Sequence, residues 1–189
     1  MKPSSKILLD YINEFGLIGC NKDPYIKSLE DIGCTWQDAI HLIDIHEIFY
    51  CKIYRHKTVY LSKELYFLLK TIQENTSLST NAERIYRILE NNPPQSTEML
   101  KVVSGLGKKE MNAAQSELLE KLLITAISSY KSINVNWSSF LYGTSFQWEE
   151  SGDFFQVEDS KDDAKNKAIH ILEKTLRKSD VTKILKIIS

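Results

Sequence analysis

The sequence contains no long apolar run and few turn-forming residues. No segment approaches the roughly 18 uninterrupted apolar residues of a membrane-spanning helix. Near the start of the chain, Asp10 and Asn13 break the apolar run and no small-residue cleavage pattern follows, so we expect no signal peptide. Seven Gly and four Pro in 189 residues leave little room for low-complexity tracts. These absences predict a globular chain without a membrane partner.

Cysteine is scarce as well. Cys20, Cys34 and Cys51 are odd in number and widely spaced, which is typical of reduced thiols and not of a disulfide framework. We therefore expect a cytoplasmic protein.

Charge is nearly balanced, with a formal net charge of −1. A balanced chain has no global attraction for nucleic acid, which draws on Lys and Arg to neutralise phosphates. The charge is uneven near the C-terminus, because residues 149–163 carry seven acidic side chains against Lys161 alone and residues 164–189 are basic. The simplest interpretation is that the acidic and basic segments pair with each other in space, or that both are charged faces exposed to solvent. The sequence leaves open whether the acidic segment masks a basic surface.

The first part of the chain predicts helices around a β-hairpin. A helix with apolar residues at helical spacing ends at Gly16, and Thr35 with Asp38 forms a capping box for a second helix through about Glu47. A β-branched and aromatic run then predicts a hairpin of about 48–55 and 58–61 with its turn at 56–57. Ser62 is the predicted cap of the following helix.

The second part of the chain has the order of a winged helix-turn-helix. A helix over 81–91 ends before Pro93-Pro94, a short Ser96-capped helix ends at Gly105, and the helix of "KKEMNAAQSELLEKL" follows. Two apolar strands, 122–128 and 137–143, flank the polar loop 129–136. Helix, helix, short turn, helix, strand, loop, strand is typical of this motif.

The predicted fold is α+β and predominantly helical. It consists of a winged helix-turn-helix with an N-terminal helix-hairpin-helix extension and a helical C-terminal tail. The polar stretch 75–81 is a candidate boundary, which gives the units 1–78, 79–150 and 151–189. In the last unit we expect a helix over about 161–177 and a short one capped by Ser179.

Four stretches of this sequence resemble small AlkZ-related proteins of the AlkZ/YcaQ winged-helix group. They are "EIFYCKIYRHKTVYLSKELYFLL", "AERIYRILENNPPQSTEMLKVVSGL", "AQSELLEKLLITAIS" and "FLYGTSFQWEE", and the resemblance covers about 28–150. The group includes bacterial DNA glycosylases that remove alkylated bases and unhook crosslinks. The resemblance implies a winged-helix architecture and DNA as a partner, in the context of DNA repair.

The resemblance does not extend to the catalytic motif of that group. Its catalytic members carry two polar residues around one apolar residue, typically Gln-apolar-Gln, and are much longer. No two glutamines of this chain are separated by a single residue; they are Gln37, Gln73, Gln95, Gln115, Gln147 and Gln156. We therefore expect a protein without glycosylase activity.

Other chemistry finds little support in the sequence. Asp44-Ile45-His46 is the nearest approach to such a polar pair, but residues two apart on a helix point in different directions. His41, His46, Cys51 and His56 are close in sequence without the spacing of a zinc site. No loop matches a nucleotide-binding fingerprint. We expect no catalytic residue, metal or cofactor.

The candidate DNA-binding residues lie on the second of the two helices joined by the short turn. One face of that helix is polar and begins with Lys108, Lys109 and Asn112, followed by Ser116. Lysine can bind phosphate or guanine, and asparagine can read adenine in the major groove. Lys131 is the candidate contact of the wing. Glu117 and Glu120 on the same helix would repel phosphates.

Arg55 and Lys57 at the tip of the hairpin complete the set of candidates. If this tip lay beside Lys108, the two basic groups would form one continuous strip.

Three hypotheses follow from the sequence. The first is a non-catalytic winged-helix protein that binds double-stranded DNA. The second is a shortened DNA glycosylase that acts on alkylated bases. The third is a protein–protein interaction module or transcriptional regulator, which leaves open a homodimer or a protein partner. The sequence does not indicate a preferred DNA sequence or lesion.

Overall fold

The computed structural model describes residues 2–74, 77–134, 137–150 and 159–188, the side chains of 132–134 and 137–138 excepted. As predicted, the fold is α+β and predominantly helical. The α-helices are α1 (Pro3–Phe15), α2 (Trp36–Asp44), α3 (Lys63–Ile72), α4 (Thr80–Glu90), α5 (Thr97–Ser104), α6 (Lys108–Glu120), α7 (Ser145–Glu150), α8 (Lys161–Glu173) and α9 (Lys178–Ile188).

Within the described residues, six strands form two three-stranded antiparallel sheets. The strands are β1 (Leu17–Gly19), β2 (Ile48–Tyr54), β3 (Lys57–Ser62), β4 (Gln95–Ser96), β5 (Ile124–Asn134) and β6 (Trp137–Thr144). Their spatial orders are β1-β3-β2 and β4-β6-β5.

The two sheets have the same connectivity. In each, a helix precedes a short edge strand. Two helical segments, the 3-10 helix Glu30–Ile32 with α2 or α5 with α6, then lead to a hairpin whose second strand pairs with the edge strand. The predicted N-terminal hairpin is therefore part of a three-stranded sheet. This repeat cannot be read from the sequence because the edge strands β1 and β4 have three and two residues, too few for a periodic pattern.

Most predicted helix ends are confirmed. Gly16 follows α1 with φ 81° and Gly105 follows α5 with φ 67°, the backbone region that glycine adopts most readily. The hydroxyls of Ser62 and Ser96 accept the N–H groups of Leu65 and Met99 and so cap α3 and α5.

Several predicted boundaries are wrong, although the helices themselves are present. The helix opened by Thr35 ends at Asp44 instead of Glu47, the helix expected over about 161–177 ends at Glu173, and Ser179 lies inside α9, which begins at Lys178. The loop expected at 129–136 is instead strand through Asn134, because β5 continues to pair with β6, and residues 135–136 lie outside the description. The short helix α7 was not expected.

Asp38 joins the first two helices. Its carboxylate accepts hydrogen bonds from the hydroxyls of Ser4 (2.5 Å) and Ser5 (3.1 Å) at the start of α1, and from the Thr35 N–H (2.9 Å) and hydroxyl (2.8 Å). Burial by itself raises the pKa of this carboxyl, but the hydrogen bonds outweigh it and lower the pKa below the ordinary 3.8. The capping box predicted from the sequence is thus also a tertiary contact.

We expect the Asp38 contribution to stability to depend on pH. Because the folded pKa is below the unfolded one, the contribution is complete above about pH 4 and is lost as the pH falls through the lowered pKa. In Asp38→Asn, the free energy of unfolding should be lower at pH 7 by about 1 kcal/mol, and the difference from wild type should shrink at pH 3. Urea unfolding at both pH values measures this. An equal difference at both would contradict it.

Two apolar clusters form the core, and both combine distant parts of the chain. The first packs α1 and α2 against α4, α5 and α6, and the second packs β2, β3 and α3 against α7, α8 and α9. Between the sheets, the Thr125 hydroxyl accepts the Tyr50 N–H (3.1 Å) and donates to the Tyr50 carbonyl (2.9 Å). The division into three units stays a prediction, and residues 75–76 of its first boundary lie outside the description.

Two further findings concern the predicted setting of the protein. Within the described ranges, no helix has the length and apolar character needed to cross a membrane. Cys20, Cys34 and Cys51 are free thiols. Cytoplasmic localisation stays a prediction.

Candidate nucleic-acid interface

The turn between α5 and α6 sets the position of the candidate helix. Gly105 reverses the chain and its N–H bonds to the Lys101 carbonyl (3.0 Å), while the buried Leu106 anchors the turn. The Glu110 carboxylate then accepts the N–H of Gly107 (2.9 Å) at the start of α6. The short glycine turn therefore holds α5 and α6 in a fixed relation.

Helix α6 has a buried face and an exposed face, as the sequence predicted. Its buried side chains pack into the first apolar cluster; they are Met111, Ala114, Gln115, Leu118 and Leu119. Lys108, Lys109 and Asn112 are exposed, and Ser116 is half-buried. In the described part of the chain, no side chain forms an ion pair or hydrogen bond with these two lysines. The first half of α6 therefore presents free cations to solvent.

The acidic residues in the second half of α6 are engaged. Glu117 accepts hydrogen bonds from the Ser79 N–H (3.1 Å) and hydroxyl (2.6 Å) and pairs with Lys121 (3.2 Å). Burial by itself raises the pKa of Glu117, but the bonds from Ser79 and Lys121 outweigh it and lower the pKa. Glu120 Oε2 lies 3.1 Å from His56 Nδ1. Because Glu117 is paired with the cation Lys121, it repels an anion at the other end of the helix less than a free carboxylate would.

Lys131 lies on the β5–β6 hairpin. It is exposed, and its ammonium group lies 5.0 Å from the ring centroid of Tyr130, which is also exposed. The continuation of β5 to Asn134 makes this wing a strand ladder where the sequence predicted a loop. Lys131 is therefore carried by paired backbone.

Arg55 and Lys57 do not join Lys108. His56, at the tip of their hairpin, contacts Glu120 at the C-terminal end of α6. A 13-residue helix is about 20 Å long, so the hairpin tip and Lys108 lie near opposite ends of it. The continuous basic strip considered from the sequence does not form.

Arg55 and Lys57 are also paired with carboxylates. Arg55 donates from Nε and Nη2 to the two oxygens of the buried Asp180 (3.0 and 2.9 Å), and Lys57 Nζ lies 2.5 Å from Asp23 Oδ2. The Arg55 guanidinium also lies 4.5 Å from the centre of the Tyr25 ring. These partners neutralise the two cations locally, and the sequence held no signal for pairs so distant along the chain.

The hairpin turn explains why these residues stand there. Its two central residues are Arg55 and His56, one position before the predicted turn, and both have positive φ (49° and 57°). Asn-Gly is the preferred sequence for such a turn. Arg55 and His56 are unfavourable at these positions, and their contacts to Asp180 and Glu120 hold them in this conformation. The geometry indicates a packing role for this tip.

The remaining polar candidates are also structural. Asp44 accepts the N–H (2.6 Å) and hydroxyl (3.0 Å) of Ser129, and His46 Nε2 lies 2.9 Å from the Ile127 carbonyl. Both side chains thus attach the end of α2 to β5. Within the described residues, no group of three or more His, Cys, Asp or Glu side chains is arranged to hold a metal ion.

The acidic segment proposed from the sequence is described only in part, because residues 151–158 lie outside the description. Of the rest, Glu149 accepts hydrogen bonds from Tyr66 and Lys70 on α3, and Asp159 pairs with Lys167 (2.7 Å). The second of these pairs joins the acidic segment to the basic one that follows it.

Comparison with known proteins gives one family. The model of the AlkZ-related family matches residues 21–189, a longer range than the 28–150 over which the sequence resembles it. No curated protein and no solved structure matches the chain. The match confirms the resemblance and relates the chain to AlkZ-type DNA repair proteins. The chain therefore belongs to the AlkZ-related family.

Proposed function

We propose that this protein binds double-stranded DNA through a winged helix-turn-helix formed by α4, α5, α6 and the β4-β6-β5 sheet, without removing bases. One observation carries the proposal: Lys108 and Lys109 are exposed and unpaired within the described residues, whereas Arg55 and Lys57 are neutralised by carboxylates. Membership of a DNA-repair-related family supports it independently.

The first turn of α6 is suited to a nucleic-acid backbone. The free N–H groups at a helix N-terminus carry a partial positive charge. Lys108 and Lys109 add two full positive charges there, against the one negative charge of Glu110, whose carboxylate caps the helix. Asn112, one turn later on the same exposed face, can form two hydrogen bonds with adenine in the major groove. Ser116 and the wing residue Lys131 would add contacts to phosphate.

The equivalent helix of the first sheet is not available for the same role. Helix α2 precedes the β2–β3 hairpin as α6 precedes β5 and β6. Five of its nine residues are buried, against five of thirteen in α6, and Asp44 bonds to Ser129 of the other sheet. With α2 covered, the exposed half of α6 is the better candidate of the two.

The number of free lysines sets the expected affinity. Lys108, Lys109 and Lys131 would neutralise about three phosphates, which gives a slope of log K against log salt of about −2.7. Sites with six to ten phosphate contacts show much steeper slopes. We therefore expect weak binding by a single copy, strongest at low salt.

Replacing two lysines tests the proposal. In Lys108→Ala/Lys109→Ala, binding to a labelled duplex of about 20 base pairs should weaken. The slope of log K against log salt should become shallower by about 2, because two phosphate contacts are lost. Fluorescence anisotropy across a salt series measures both. The control is Lys165→Ala/Lys186→Ala, which removes the same charge from exposed positions of α8 and α9 and should leave the slope unchanged.

Equal slopes for the two double variants would contradict a contact through α6. Incubation with alkylated duplex DNA tests the non-catalytic part of the proposal, since release of a base would make the chain a glycosylase.

A further inference from the structure

Helix α5 has an apolar face that is turned to solvent. Met99 is 49% exposed, Val102 77% and Val103 57%. Their spacing of i, i+3 and i+4 puts them on one stripe, opposite the buried Leu100 and Ser104. Other large apolar side chains exposed in the described ranges, such as Ile7 and Phe146, do not share a helical face with a second one. Contiguous apolar patches of this kind mark interaction sites.

Charged residues accompany the stripe on one side. Glu98 and Lys101 are exposed and three residues apart, so at 100° per residue both fall on the flank next to Val102. Along this flank the acidic Glu98 comes first and the basic Lys101 follows, from the N-terminus to the C-terminus of α5. A partner for the stripe has to place a basic group beside Glu98 and an acidic group beside Lys101.

From this pattern we propose that α5 is a self-association surface on which a second copy of this chain docks its own α5, antiparallel, about a two-fold axis. Such an axis places the same flank of both helices side by side, with the two chains running in opposite directions. Glu98 of each copy then faces Lys101 of the other, so two charge pairs form beside the apolar contact. Parallel pairing would not bring these flanks together.

The size of the surface indicates a weak dimer. A standard stable interface buries about 800 Å² on each partner, more than three side chains of an eight-residue helix provide. Association should therefore depend on concentration in the accessible range. The proposal does not require DNA binding, but a dimer would carry twice the exposed lysines of α6 and would bind DNA more tightly than one copy.

Sedimentation equilibrium of the full chain without DNA, up to about 1 mM, tests the proposal. We expect a monomer–dimer equilibrium. Val102→Asp should weaken association more than tenfold because it places a charge in the apolar contact. Ile7→Asp, on the exposed face of α1, is the matched control and should leave association unchanged. A chain that stays monomeric throughout would overturn the proposal.

A charge swap tests the antiparallel geometry. Glu98→Lys alone, or Lys101→Glu alone, replaces two attractive contacts by two repulsive ones and should weaken association about tenfold. The double variant Glu98→Lys/Lys101→Glu restores both pairs and should recover most of the loss. Circular dichroism of the monomers checks that α5 is intact in each.

Two outcomes of these measurements would reject this dimer. Association that is unchanged by Glu98→Lys alone and by Lys101→Glu alone would exclude the antiparallel pairing. A monomeric chain in which Val102→Asp weakens duplex binding would assign the stripe to DNA, which leaves the proposed function intact. Loss of DNA binding in the lysine variants alone has no bearing on the dimer.

Discussion

Trp148→Ala is expected to lower the free energy of unfolding by about 3–5 kcal/mol, the usual cost of removing a buried tryptophan side chain. The indole is 2% exposed and lies at the centre of an aromatic cluster. Its ring centroid is 5.1 Å from those of Phe49 on β2 and Tyr66 on α3, in edge-to-face geometry, and 6.3 Å from that of Phe67. Such pairs add about 0.5–1.5 kcal/mol each beyond the area that they bury. Trp148 therefore fixes α7 to the rest of the protein.

Phe146 provides the matched control, because it lies on the same short helix and is 58% exposed. Phe146→Ala should change the free energy of unfolding by no more than about 0.5 kcal/mol. Urea titration followed by far-UV circular dichroism measures both variants, and an unchanged m-value would show that the denatured state is comparable. Similar costs for the two variants would mean that α7 does not pack as described.

Gly16→Ala is expected to cost about 3 kcal/mol, as the sum of two terms. Gly16 has φ 81° and ψ −36°, outside the αL basin, so an L-residue there costs at least the roughly 1–2 kcal/mol of a left-handed residue. A Cβ atom there would lie 2.2 Å from Cγ2 of Ile171 on α8 and 3.2 Å from Leu65 Cδ2. Because Ile171 is β-branched and stiff at χ1, relief requires α8 to move, and overpacking of this kind costs about 1–3 kcal/mol.

Gly33 separates these two terms. It also has a positive φ (73°), but apart from its two neighbours in the chain no residue of the described structure has an atom within 4 Å of the position of its Cβ. Gly33→Ala should therefore show only the backbone cost of roughly 1–2 kcal/mol. Thermal and urea unfolding of both variants give the difference, which reports the packing of α8 against the end of α1. Equal costs would indicate that α8 yields to the added methyl group.

Local signals in the sequence were sufficient for most helices. Ser62 and Ser96 were identified as caps because a hydroxyl before an apolar-periodic segment satisfies a free backbone N–H. The same reasoning misplaced the start of α9, where Ser179 is inside the helix. It also missed α7, whose six residues are too few to show a helical period.

The candidate site could be predicted only in part. The exposed position of Lys108, Lys109 and Asn112 followed from the spacing of the apolar residues of α6. The neutralisation of Arg55 by Asp180 did not, because the two residues are 125 positions apart. Nor did the exposure of Val102, since its helix gave no indication of which neighbours would cover it.

The sequence by itself determined the fold class, the family, most helix ends and the exposed basic start of α6. These depend on residues within a few positions of each other, where caps, turns and periodicity act through the local backbone. Only the tertiary structure decided which charges stay free. Asp180 and Asp23 reach Arg55 and Lys57 from other parts of the chain, and Gly16 became a packing site only when α8 reached it. Contacts between distant segments form when apolar faces are buried together, and no local pattern records which faces will meet.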